Sequence, residues 1–116
     1  MIIKHSRTVA PGTYADAPPG VEMRELITDR DGAPNFSMRV FDIQPGASTP
    51  FHRHEWEHEV FILAGSGLVR TEENATPFQA GDSVFIAPGE QHCFVADAGS
   101  AVRFICVIPR RNQCRL

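Results

Sequence analysis

The sequence predicts an all-β barrel or sandwich of short strands, and three observations carry that prediction. Strand-forming runs of four to eight residues recur along the chain. Turn signals separate them, with nine Gly and nine Pro in 116 residues. Helical periodicity is almost absent.

Taken in order, residues 10–20 read as a loop, because Pro and Gly block ladder pairing. Residues 21–28 read as a strand and 29–32 as a turn. Residues 36–43 are rich in strand formers and stop at Gln44, Pro45 and Gly46. Residues 60–63 are apolar on both parities, as expected of a strand buried on both faces. Residues 64–67 read as a hairpin turn into a strand over 68–71, and 72–75 as a polar turn. Gly81 and Asp82 lead into a strand over 83–87, which ends at Pro88 and Gly89. Strands over 92–96 and 101–108, joined by a turn at 97–100, complete the pattern. The tail, 109–116, is basic and polar and is expected at an edge or loosely ordered.

Length suits one domain spanning 1–116. A net charge of −3 without long runs of like charge offers no footprint for nucleic acid or an anionic membrane surface. No apolar run approaches the roughly 20 residues of a spanning helix. Residues 1–5 lack an apolar leader segment, and the three cysteines, Cys93, Cys106 and Cys114, form neither an even framework nor a paired redox or zinc motif. A cytoplasmic protein with reduced thiols is expected.

Three of five histidines, His52, His54 and His58, fall within seven residues. They share parity, so an unbroken strand would present all three on one face and turn Arg53, Glu55, Glu57 and Glu59 to the other. Neutral imidazoles that converge are good ligands for first-row divalent ions, in competition with protons. Such a cluster alone also suits a solvated surface. A downstream partner decides between the two.

Gly46, His52 and His54 resemble the first half of the first cupin motif, and Gly81, Gly89 and His92 match the second motif at its spacing. The matching segments are 46–67 and 81–96. The chain departs from the pattern in three places. His58 stands where the motif usually has its ligand Glu, while Glu59 occupies the longer spacing the motif allows. Pro88 falls one place late, and Ala96 replaces an Asn. Either His58 or Glu59 fits as third ligand by spacing; parity favours His58.

The resemblance implies a double-stranded β-helix, or jelly-roll, barrel with one divalent ion on His52, His54, His58 and His92. Mn or Fe is favoured, with Ni, Zn or Cu possible. It also implies a homodimer that shares N-terminal strands. Four neutral imidazoles would leave the ion its full charge, favouring anionic ligands. The expected activity is that of a metal-dependent oxidoreductase of dioxygenase type. The alternatives are an isomerase or lyase, or a non-enzymatic binding module for a small molecule.

For the pocket, parity in the last strand sets Phe104, Cys106 and Ile108 inward and Arg103, Ile105 and Val107 outward. Phe36, Met38 and Val40 are expected to face inward as well, with Trp56 at the mouth. Such a lining would suit a small, largely apolar ligand.

Overall fold

The computed structural model describes residues 1–12 and 17–110. Eight strands form two antiparallel sheets. They are β1 (Val21–Ile27), β2 (Phe36–Ile43), β3 (His58–Ala64), β4 (Ser66–Thr71), β5 (Ala75–Gln79), β6 (Ser83–Ile86), β7 (His92–Ala96) and β8 (Val102–Pro109). One sheet has the order β1-β2-β8-β3-β6, the other β5-β4-β7. Two sheets with this strand exchange make a jelly roll, the all-β architecture expected from the sequence.

Aromatic rings weld the sheets together. Phe41 stacks on Phe104 within the larger sheet at 4.9 Å. Phe104 in turn meets Phe94 of the smaller sheet at 4.6 Å, and Phe94 meets Phe78 at 6.0 Å. Val60, Ile62, Val69, Ile86, Val102 and Ile108 fill the remaining core.

Three elements differ from the sequence expectation. First, residues 64–67 do not close a hairpin. β3 pairs with β6 and β8, whereas β4 pairs with β5 and β7, so the chain crosses between sheets at Gly65. Gly67 faces the carbonyl of Val95 so closely that an added Cβ would lie 2.0 Å from its oxygen. Second, residues 75–79, which include Pro77, form β5, although the sequence expectation ends a polar turn at 75 and assigns no further strand before 83. β5 is the edge of its sheet, where a residue without an N–H is tolerated. Third, β3 is buried on one face only. Val60 and Ile62 are in the core, while Phe61 and Leu63 are 47% and 44% exposed.

The outer face of the larger sheet is tied down near β1 by the N-terminal segment. Gly12 donates its N–H to Met23 O at 2.8 Å, Arg24 Nε donates to Val9 O at 3.1 Å, and Arg103 Nη2 donates to Ser6 Oγ at 3.1 Å. Asp42 sits between Arg24 and Arg103 at 3.3 and 3.5 Å. Of the expected loop over 10–20, residues 13–16 lie outside the described residues, as do Cys114 and most of the tail expected over 109–116.

Candidate functional site

The four histidines come from two chain segments that lie side by side. His52 and His92 form an isolated antiparallel bridge, with each N–H donated to the other's carbonyl, at 3.1 and 2.9 Å. That bridge aligns the first segment with the start of β7. A bend at Glu55 and Trp56 breaks the extended run, and β3 begins at His58. The loop is pinned from the other side by Gly89, whose N–H donates to His54 O at 2.7 Å. Gly89 has φ +79°, a left-handed conformation that side chains rarely adopt, which gives this motif glycine a physical task.

The imidazoles gather accordingly. Ring centroids are 4.4 Å apart for His52 and His54, 5.2 Å for His54 and His58, 5.1 Å for His58 and His92, and 5.4 Å for His52 and His92. Among the described residues, no three or more His, Cys, Asp or Glu have donor atoms drawn together as tightly as a bound ion requires. The rings are neighbours, partly packed on one another. Trp56 lies flat on His54 at 4.6 Å with an interplanar angle of 6°, half-buried against the core. Glu59 is exposed and lies opposite Phe85 and Val107 on the outer face, away from the imidazoles.

Burial keeps the deeper rings neutral. Desolvation, helped by the nearby Arg39 charge and the other imidazoles, lowers the pKa of His58 to about 2. Desolvation also lowers that of His92, against a hydrogen bond from its Nδ1 to Glu90 O at 2.8 Å. With Nδ1–H so engaged, His92 turns Nε2 as a bare acceptor to the other side of its ring. His58 Nε2 is buried with no hydrogen-bond partner, while Nδ1 lies 3.3 Å from Cys106 Sγ.

β2 carries the main correction to the expected lining. Its register with β8 pairs Arg39 with Cys106 and Phe41 with Phe104, so Ser37, Arg39, Phe41 and Ile43 face inward. Phe36, Met38 and Val40 have the opposite parity. Phe36 is 65% exposed, and Val40, although buried, lies outside the core cluster. Phe104, Cys106 and Ile108 do face the core.

Arg39 is the residue that sequence reading missed. It is 1% exposed, donates from Nη2 to Cys106 Sγ at 3.2 Å, and lies over Phe41 at 5.1 Å. The available signal was a lone charge at the parity of Phe41 and Ile43 inside a strand-forming run. Desolvation raises the pKa of Cys106, partly offset by Arg39, so the sulfur stays a thiol at neutral pH. A surface cavity of about 390 Å³ lined by Thr76, Phe78, Asp82, Phe85 and Glu90 includes none of the four histidines.

Comparison with known proteins agrees with this architecture. The family model described as "Cupin domain" matches residues 39–108. An oxalate-binding protein of Thermotoga maritima is 33% identical over 92 residues, covering 76% of this chain and 74% of that protein. A 1-methylthio-D-xylulose 5-phosphate methylsulfurylase of Rhodospirillum rubrum is 31% identical over 71 residues. That match covers 61% of this chain and less than half, 46%, of the other. Among solved structures, the polyketide cyclase RemF of Streptomyces resistomycificus superposes with a TM-score of 0.86 at 31% identity, covering 99% of this chain and 87% of that one. With its two motifs set against one another across an eight-stranded jelly roll, this chain belongs to the cupin family.

Proposed function

We propose that this cupin holds one divalent metal ion through His52, His54, His58 and His92 and uses it on a small organic molecule bearing an anionic oxygen. The observation that carries this reading is the meeting of four imidazoles from two segments, with the buried His58 Nε2 lacking a partner. An orphaned buried acceptor costs roughly 1–3 kcal/mol, and an electrophile on that nitrogen relieves the cost. The donor set fits Mn or Fe best in expectation, with Ni, Zn and Cu also compatible. Rotations of the exposed-side rings, His52 and His54, would complete the set.

An ion so bound supplies Lewis acidity to an oxygen of the ligand. The chain's own part is to hold the imidazoles neutral, to keep them oriented through Glu90 and Cys106, and to exclude water with Phe41, Phe94 and Phe104. Four neutral ligands leave the charge of the ion uncompensated, and Arg39 adds a guanidinium to the same interior. Both favour an anionic group over the largely apolar ligand expected from the sequence. The names of the relatives (an oxalate-binding protein, a methylsulfurylase and a polyketide cyclase) support non-redox chemistry or simple binding. Oxidoreductase chemistry of dioxygenase type is the second reading, favoured by the dry aromatic walls.

Metal-free protein reconstituted with Mn²⁺ or Fe²⁺, then titrated with oxalate as a probe anion, tests the proposal. Oxalate binding that needs both the ion and His92 is expected. Binding by the metal-free protein, or none at all with the ion bound, overturns it. Dioxygen consumption by the Fe²⁺ form would select the second reading.

A homodimer is proposed across the outer face of the larger sheet, where Phe61, Leu63 and Phe85 lie exposed together. No helix among the described residues is long and apolar enough to cross a membrane. The buried free thiols of Cys93 and Cys106 support a reducing compartment such as the cytoplasm.

A further inference from the structure

Cys106, Arg39 and His58 form a buried chain, and of the three the cupin motifs include only His58. The three are 2%, 1% and 5% exposed, so water does not compete for their hydrogen bonds. Their positions are fixed by the ladders. Arg39 lies directly across from Cys106 on β2 and β8, and Cys106 lies across from Val60 on β8 and β3, two residues from His58. Arg39 Nη2 donates to Sγ at 3.2 Å, and His58 Nδ1 stands 3.3 Å from the same sulfur.

A neutral imidazole carries one N–H, on either nitrogen. If the thiol donated to Nδ1, the proton of His58 would sit on Nε2, a buried donor with no acceptor in reach. If Nδ1–H donates to sulfur, Nε2 is a bare lone pair facing the other imidazoles, and the sulfur accepts from two donors at once. The second arrangement leaves no buried N–H unmatched on the histidine; its cost falls on the Nε2 lone pair, which a ligand in the barrel can take up, and on the S–H, a weak donor.

We infer that Cys106 is a positioning residue for His58. Its sulfur, held by Arg39, accepts Nδ1–H and thereby sets Nε2 as the nitrogen that meets a ligand in the barrel. The inference rests on the metal-site reading only for its consequence, because the tautomer exists without any ion.

The test is long-range ¹H–¹⁵N correlation of the imidazoles in the metal-free protein at pH 8, with the signals of His58 assigned by comparison with the His58→Gln protein. His58 is expected in the form protonated on Nδ1. Cys106→Ser, whose hydroxyl still accepts, retains it, and Cys106→Ala shifts His58 toward the Nε2–H form. Zn²⁺ affinity, read by competition with a chromophoric chelator, is expected to fall about 10–100-fold in Cys106→Ala and only a few-fold in Cys106→Ser.

A wild-type His58 protonated on Nε2 overturns the inference, and needs no variant to fold. So does a Cys106→Ala protein whose tautomer and Zn²⁺ affinity match the wild type. If the tautomer follows Cys106 but no form binds Zn²⁺, the positioning stands and the metal reading falls.

Discussion

The two faces of the larger sheet are built from the same strands and do opposite work. On the inner face, β2, β3 and β8 present Arg39, His58 and Cys106 among Phe41, Val60, Ile62 and Phe104. On the outer face the same strands, with β1 and β6 beside them, present Asp42 between two arginines, and Phe61, Leu63 and Phe85 in the open. Inside, Arg39, Cys106 and His58 are tied to one another beside the candidate metal centre. Outside, ion pairs are half-exposed and contribute little, on the order of 0–1 kcal/mol each. The contrast teaches that polarity is informative where it is buried, and apolarity where it is exposed.

Substitutions on the two faces should separate them sharply. Phe104→Ala empties the stack between the sheets and is expected to cost about 3–5 kcal/mol. Phe61→Ala, on the exposed face, should cost about 1 kcal/mol or less. Urea unfolding of the two variants reads the difference; equal losses would mean that the faces are not distinct.

A second pair sharpens the site. His58→Ala is expected to weaken metal binding by more than the roughly 100-fold typical of losing an outer partner, while Glu59→Ala leaves it unchanged. Isothermal titration of both variants with the same ion decides which neighbour is the ligand. Loss in the Glu59 variant instead would reverse the assignment.

Acid should act on the inner face. His58 is neutral in the fold, its pKa lowered from 6.5 to about 2, whereas in the unfolded chain it takes a proton near its ordinary value. The unfolded state therefore binds more protons below about pH 6.5, and stability falls as pH drops. The slope from this one residue is about 1.4 kcal/mol per pH unit in metal-free protein, and His92 adds to it in the same direction. Thermal melts from pH 7 to 5, compared with those of the His58→Gln protein, should show a shallower dependence in the variant.

The smallest effect belongs to the outer face. Phe61→Ser with Phe85→Ser should leave folding and metal content intact and shift sedimentation from dimer to monomer. A wild-type monomer at high concentration would remove the proposed interface.

Much of this was legible in the chain. The boundaries of β2 and β7 were readable because turn signals bracket runs of strand formers, and the inward set of β8 followed from alternation around Arg103. Alternation failed where hydrophobicity did not mark burial. Phe36 and Met38 drew β2 to the wrong parity, although Arg39 is the residue that goes inside. Phe61 and Leu63 made β3 look doubly buried. The edge strand at Pro77 and the crossing at Gly65 depend on partners far along the chain, which local patterns do not encode. The histidines came together despite a bend at Glu55 and Trp56 that no strand-parity argument anticipates, because backbone bonds to His92 and Gly89 hold that loop.

The central claim is a four-imidazole metal centre, and X-ray absorption on the metal-loaded protein, with elemental analysis of the same sample, tests it most directly. The account predicts about one Mn or Fe per chain with four imidazole nitrogens in the coordination sphere, falling to three in His58→Ala. A chain that takes up no metal on reconstitution, or an ion whose imidazole count is unchanged in His58→Ala, would contradict it.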